Sequence, residues 1–151
     1  MGPLVRRYLK TGMGFLLLGF GLGGWMLVRR EIAGVYPSPY LISAHTHVIL
    51  VGFVMMMILG VALWMFPRPA PNDPRYRPRL AELAYWIIGV TTLARFLGEV
   101  GRTTSDAAAL RWLVALAGLG QVLGVAMFFY HLWPRIRSPG ARARASMDVG
   151  G

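Results

Sequence analysis

Apolar residues are gathered into four long blocks, at about residues 11–28, 41–66, 83–98 and 110–133. Each block approaches the ~20 residues that a helix needs to cross a hydrocarbon core. Lipid offers backbone N–H and C=O groups no water, so segments of this kind must be helical. The pattern therefore predicts an all-α, integral membrane four-helix bundle over residues 1–134. A basic tail over 135–151, read as disordered, follows it. The first block resembles a signal peptide in its basic start, yet no small-x-small cleavage site follows and Arg29-Arg30-Glu31 is the wrong flank. The polar breaks are rich in turn residues: Tyr36–Pro39 reads as a short turn and Pro67–Pro78 as a rigid loop.

Composition supports the same class. The chain of 151 residues is 56% hydrophobic and only 15% charged, which leaves a soluble fold of this size nowhere to put its apolar surface. It has no cysteine, which removes disulfides, thiolate metal sites and cysteine nucleophiles from consideration. The net charge of +10 sits between the blocks. Of its 16 basic residues, Arg6, Arg7, Lys10 and those of segments 67–79 and 135–144 fall on one side. Arg29, Arg30, Arg95, Arg102 and Arg111 fall on the other. Cytoplasmic loops carry the excess of Lys and Arg, so both termini are expected in the cytoplasm. The basic tail reads as a topology anchor against anionic lipid, with no nucleic-acid role. Gly19-xxx-Gly23 in the first block and Gly120-xxx-Gly124 in the fourth predict close helix packing within the chain.

Ionisable groups inside a bilayer are costly and mark function by default. His45 and His47 fall near the start of the second block. Arg95 and Glu99 fall near the end of the third, one turn apart and able to pair. Residues i and i+2 diverge by about 200° around a regular helix. His45 and His47 therefore cannot chelate one ion, and each must face something other than lipid. His45 shares its face with Gly52, Met56 and roughly Gly60, a stripe with room for a flat ring, while His47 shares its own with Val54, Ile58 and Met65. Imidazole above a small-residue stripe suits haem iron. Met55-Met56-Met57 fans around the helix and reads as packing rather than a copper site. His131, at the far end of the fourth block, reads as an interfacial residue beside Trp133, and Gln121 as a hydrogen-bonding partner for a neighbouring helix.

Ala44-His45-Thr46-His47, followed by Gly52, Gly60 and Trp64-Met65-Phe66-Pro67, resembles the tenth helix of heme-copper oxidase subunit I. The same motif occurs in short four-helix membrane proteins described as oxidase-like. In that family the first histidine of the pair ligates the high-spin haem and the second the low-spin haem, from opposite faces of one helix. The resemblance thus implies that His45 and His47 ligate iron of a b-type haem. It departs from the family in having only three histidines and no adjacent pair, so the family's copper and dioxygen site is incomplete in one chain. Subunit I has twelve helices in three arcs of four, which implies a homotrimer here, with haem held between His45 of one chain and His47 of the next. Arg95, Arg102 and Arg111 would then face the propionates.

These readings imply a prokaryotic inner-membrane haem protein that transfers electrons or binds O2 or NO, working with a redox partner or respiratory complex. Two alternatives stay open. One is a copper-handling or assembly factor using His45, His47 and Met26; the other is a non-catalytic subunit of a respiratory complex.

Overall fold

The computed structural model describes residues 1–66 and 78–136. Four long helices account for nearly all of it: α1 (Pro3–Ala33), α2 (Pro39–Met65), α3 (Pro78–Gly101) and α4 (Ala108–Leu132), the last ending in a tight turn over Trp133–Arg135. All four are long and apolar enough to cross a membrane. The architecture is a membrane-type helical bundle. Residues 137–151, which make up most of the expected tail, and residues 67–77 lie outside the described residues.

The local signals that start and stop the helices are visible in the sequence. Pro3 opens α1, and Gly34, at φ 64°, closes it in the left-handed conformation with its N–H bonded to the Arg29 carbonyl. Ser38 caps α2 by accepting from the Leu41 N–H, with Pro39 at the first helical position. Phe66 turns to extended backbone immediately before Pro67, as a residue preceding proline must. The helices run further than the apolar blocks. α1 carries Arg6, Arg7 and Lys10 on its first turns and Arg29 and Arg30 on its last, because Arg and Lys are good helix formers outside the hydrocarbon as well.

One departure from the expected geometry lies in α2. Directly after His47, residues Val48–Met55 form a wide, π-helical stretch before regular α-helix resumes at Met56. Such widenings are rare inside α-helices and cluster at functional sites.

Two helix pairs, α1 with α2 and α3 with α4, pack against each other. Glycines set the closeness of the first pair. A Cβ on Gly19 would run into Ile49, one on Gly52 would meet Phe15 at 2.7 Å, and one on Gly60 would meet Tyr8 at 3.0 Å. In the second pair Gly120 admits Thr91 and Gly124 admits Ile88. Both small-xxx-small motifs thus pack within the chain. The joint core holds Tyr8, Phe15, Val48, Met56, Leu59, Ala84, Ile88, Phe128 and Leu132. Tyr8 meets Tyr85 and Phe128 edge-on at 5.1 and 5.8 Å, and its hydroxyl donates to the Ala81 carbonyl.

Both termini of the bundle lie at one end. There Arg135 is buried and donates to the carbonyls of Leu63, at 3.0 Å, and Phe66. Arg135 therefore belongs to the bundle rather than to a tail: its guanidinium satisfies carbonyls that the end of α2 leaves open. His131 is likewise buried, only 3% exposed, and lines a cavity with Val5, Ala81 and Arg135, while neighbouring Trp133 is the exposed residue. His131 thus lies at the end of α4, as expected, but is turned into the bundle rather than outward.

Replacing Gly52 with Ala should drive a methyl into the Phe15 ring and destabilise the bundle by about 1–3 kcal/mol. Gly14→Ala, where nothing lies within 4 Å, should be neutral or stabilising. Thermal or denaturant unfolding in detergent compares the two.

Candidate functional site

The polar chemistry gathers at the other end of the bundle, where α2 and α4 begin and α1 and α3 finish. His45 and His47 leave α2 in different directions, still within its regular α-helical part. Both are half-buried. His45 turns toward α1, where its Nδ1 lies 3.0 Å from the Gly19 carbonyl oxygen. Its ring sits against Gly23, at which a Cβ would approach Cε1 to 2.7 Å. His47 turns toward its own preceding turn and α3. Its Nδ1 lies 2.8 Å from the Ser43 carbonyl oxygen and 3.3 Å from the Ser43 hydroxyl.

A carbonyl oxygen has no proton to give, so in both pairs Nδ1–H must be the donor. The neutral ring then carries its lone pair on Nε2. Fixing one ring nitrogen this way sets the tautomer and orientation of a ligating imidazole. The two histidines are thus prepared alike, by carbonyls from different helices, and aimed apart.

His45 opens onto a groove of about 490 Å³ lined also by Phe20, Gly23, Met26, Arg30 and Pro37. The stripe below His45 is not open. Phe15 fills the hollow at Gly52, Met56 is fully buried against Gly12, and Tyr8 and Leu9 cover Gly60. Those positions seat α1 against α2, so space for a flat group lies across the groove at Gly23 and Gly24 rather than along the stripe. On the His47 side, Ile58 and Met65 face outward.

Behind His47 a polar seam joins three helices. The Ser43 hydroxyl donates to Glu99 Oε1 at 2.7 Å, and Arg95 Nε donates to the same oxygen at 3.0 Å. Arg95 also donates to Gln121 Oε1 of α4 at 3.2 Å, and Gln121 donates back to Thr92 Oγ1 of α3 at 3.1 Å. Glu99 is 3% exposed, and Thr92 and Gln121 are buried too. Thr92 lies nine residues inside the end of α3, or roughly 14 Å, so the seam reaches toward the middle of the span. The expected Arg95–Glu99 pair is present, and Gln121 does bond a neighbouring helix. Ser43 and Thr92 escaped the sequence reading because single hydroxyls in an apolar block carry no spacing signal.

Arg102 and Arg111 stand nearer the surface. Arg102 donates to the Tyr40 hydroxyl at 2.8 Å and to Asp106, with its guanidinium over the Tyr40 ring at 4.3 Å. Arg111 pairs with Asp106 through two nitrogens. Each of the three arginines assigned to an acidic ligand thus already holds a partner within the chain: Glu99 and Gln121 for Arg95, Asp106 for the other two. Hydrogen bonds from Arg111 and then Arg102 hold the Asp106 carboxyl below the usual carboxylate range. Among the described residues no three His, Asp or Glu side chains converge as a metal site.

Two outcomes follow for these charges. Arg95→Ala would strand the buried Glu99 carboxylate and should cost about 3–5 kcal/mol, much of it recovered in an Arg95→Met/Glu99→Leu double variant; unfolding in detergent measures both. A depressed carboxyl stabilises the fold at neutral pH and loses that contribution as pH falls through its lowered value. The α3–α4 turn should therefore loosen only on acidification below the ordinary aspartate range (about pH 3.9). Asp106→Asn should abolish that small, salt-screened dependence in melting curves.

Comparison with known proteins adds one match: the family described as Cytochrome C and Quinol oxidase polypeptide I, over residues 3–147. No curated protein and no solved structure matches the chain.

Proposed function

The chain belongs to the Cytochrome C and Quinol oxidase polypeptide I family, and from that membership we propose that it is a small membrane haem protein serving electron transfer or the binding of O2 or NO. The observation that carries this reading is the matched preparation of His45 and His47. Each gives its Nδ1–H to a carbonyl, from Gly19 and Ser43, and keeps Nε2 as the only ring lone pair. Neutral imidazole with a fixed second nitrogen is the donor that haem iron takes from a helix. Gly23 leaves the His45 ring room at the mouth of its groove, so the residues present fit the group.

The two rings diverge, so one chain would offer one imidazole to a haem on each side. We read the assembly as a homo-oligomer, a trimer by analogy with the three four-helix arcs of the subunit, in which His45 of one copy and His47 of the next complete one b-type site. Haem supplies reversible one-electron chemistry when bound. The protein's part would be to fix both imidazoles and exclude water with apolar side chains. Two filled axial positions favour electron transfer, and one open position favours gas binding. Three histidines without an adjacent pair do not make the family's copper centre within one chain. The orientation with both termini cytoplasmic, in a prokaryotic inner membrane, belongs to this proposal and rests on the arginine distribution. A copper-handling role is the second reading, because Met26 shares the groove with His45.

The protein expressed with ample haem and purified in detergent should show a Soret band with bis-histidine α and β bands. His45→Ala and His47→Ala should each abolish the bis-histidine spectrum. A colourless preparation containing stoichiometric copper would replace this reading with the second; a colourless, metal-free one would leave an interaction subunit.

A further inference from the structure

Glu99 is over-built for a structural ion pair. Its carboxylate is almost wholly buried, yet both of its donors, Ser43 Oγ–H and Arg95 Nε–H, converge on Oε1. Oε2 is buried with no hydrogen-bond partner among the described residues. An ionised carboxylate has about four acceptor sites, and leaving half of them unused inside a membrane span is costly. Stability alone would be better served by an apolar pair of the same volume. The donated geometry instead points one way along the seam: Arg95, itself held by Gln121, fixes the carboxylate, the carboxylate accepts the Ser43 O–H, and the Ser43 oxygen is left 3.3 Å from His47 Nδ1 to accept a second, longer share of the N–H that also goes to the Ser43 carbonyl at 2.8 Å.

His45 shares the main-chain carbonyl bond but has no side-chain acceptor beside it among the described residues. Its Nδ1–H goes to the main-chain carbonyl of Gly19, and the side chains around it in the groove are Phe20, Met26, Leu27 and Ile42, with Arg30 toward the mouth. The two imidazoles of α2 are therefore equal in tautomer and unequal in electronic support.

We propose that the Ser43 side chain and Glu99 are positioning residues for His47: beside the carbonyl bond that fixes its tautomer, they enrich the lone pair on Nε2, making His47 the stronger of the two imidazole donors. Hydrogen bonds that end on an ion are stronger than neutral ones, and chains of them reinforce each other in a low dielectric. An imidazole whose N–H is drawn toward an anion is the more basic ligand. A more basic ligand, with a buried negative charge behind it, favours the oxidised metal. The inference rests on the haem reading for its redox consequence, but the hydrogen-bond chain itself can be tested without it.

The experiment uses the full chain in detergent, as wild type, Ser43→Ala, Ser43→Thr and Glu99→Gln, with two readouts. In redox titrations, Ser43→Ala should lower the oxidised-to-reduced ratio at a fixed potential by at least twofold, about 18 mV for a one-electron couple. Glu99→Gln, which also removes the charge, should lower it by about tenfold, or 59 mV. Ser43→Thr restores the hydroxyl and should restore the potential. In 15N-histidine spectra, the His47 Nδ1–H signal should shift in Ser43→Ala and in Glu99→Gln while that of His45 stays in place. Colourless protein with the His47 shift intact would sink the haem reading and keep the relay. Coloured protein with unchanged potentials and unchanged His47 signals, whatever its melting temperature, would overturn the relay. If Glu99→Gln does not fold, the Ser43 pair of variants decides.

Discussion

No water reaches the centre of a bilayer, so a polar side chain placed there must find its partner in the protein. That constraint organises this molecule. Its histidine end is stitched by bonds that cross from helix to helix: Gly19 to His45, Ser43 to Glu99, Arg95 to Gln121, and Gln121 back to Thr92. Apolar packing brings the helices together but tolerates rotation. A bond from Arg95 to both Glu99 and Gln121 does not, because a guanidinium fork has fixed directions. The polar seam therefore sets how α2, α3 and α4 are turned relative to one another, and with that where His47 points.

The opposite end follows a different economy. Tyr8, Tyr85 and Phe128 meet edge to edge, Arg135 binds the open carbonyls at the close of α2, and His131 is enclosed with them. The bundle is thus aromatic where its termini meet, with a cavity lined by His131 and Arg135, and polar with a groove where His45 lies. His131 and His45 are separated by most of a helix length, so the chain's histidine chemistry is confined to one end by topology alone.

Much of this was legible in the sequence. Four apolar blocks gave four helices, the His-x-His spacing gave divergent rings, Arg95 and Glu99 paired as an i, i+4 couple, and both glycine motifs packed inside the chain. What could not be read has specific reasons. The Gly52–Met56 stripe was open on the helical wheel, but a wheel says nothing of which neighbour arrives, and Phe15 of α1 arrived first. Arg102 and Arg111 looked available because Asp106 and Tyr40 stand in loops or helix starts whose approach depends on the α3–α4 turn. His131 looked interfacial beside an exposed Trp133, yet residues two apart on a helix diverge by about 200°, which turns His131 into the bundle.

The π-helical stretch after His47 has a mechanical meaning beyond its rarity. Residues Val48–Met55 are wider than the helix on either side, and the wide turns separate the histidine-bearing segment from the Met56–Met65 segment that anchors α2 to Tyr8 and Leu9. A uniform helix transmits any change of length as a swing of about 100° per residue, from one end to the other. A wide stretch takes up the angular mismatch locally, so the direction of the imidazoles and the seating of the lower segment need not follow one regular helical repeat, while Val48 and Gly52 keep the stretch itself packed on α1. α2 is in effect two rods joined by a wider stretch, the upper one turned by its bonds to α1 and the polar seam and the lower one seated on Tyr8 and Leu9.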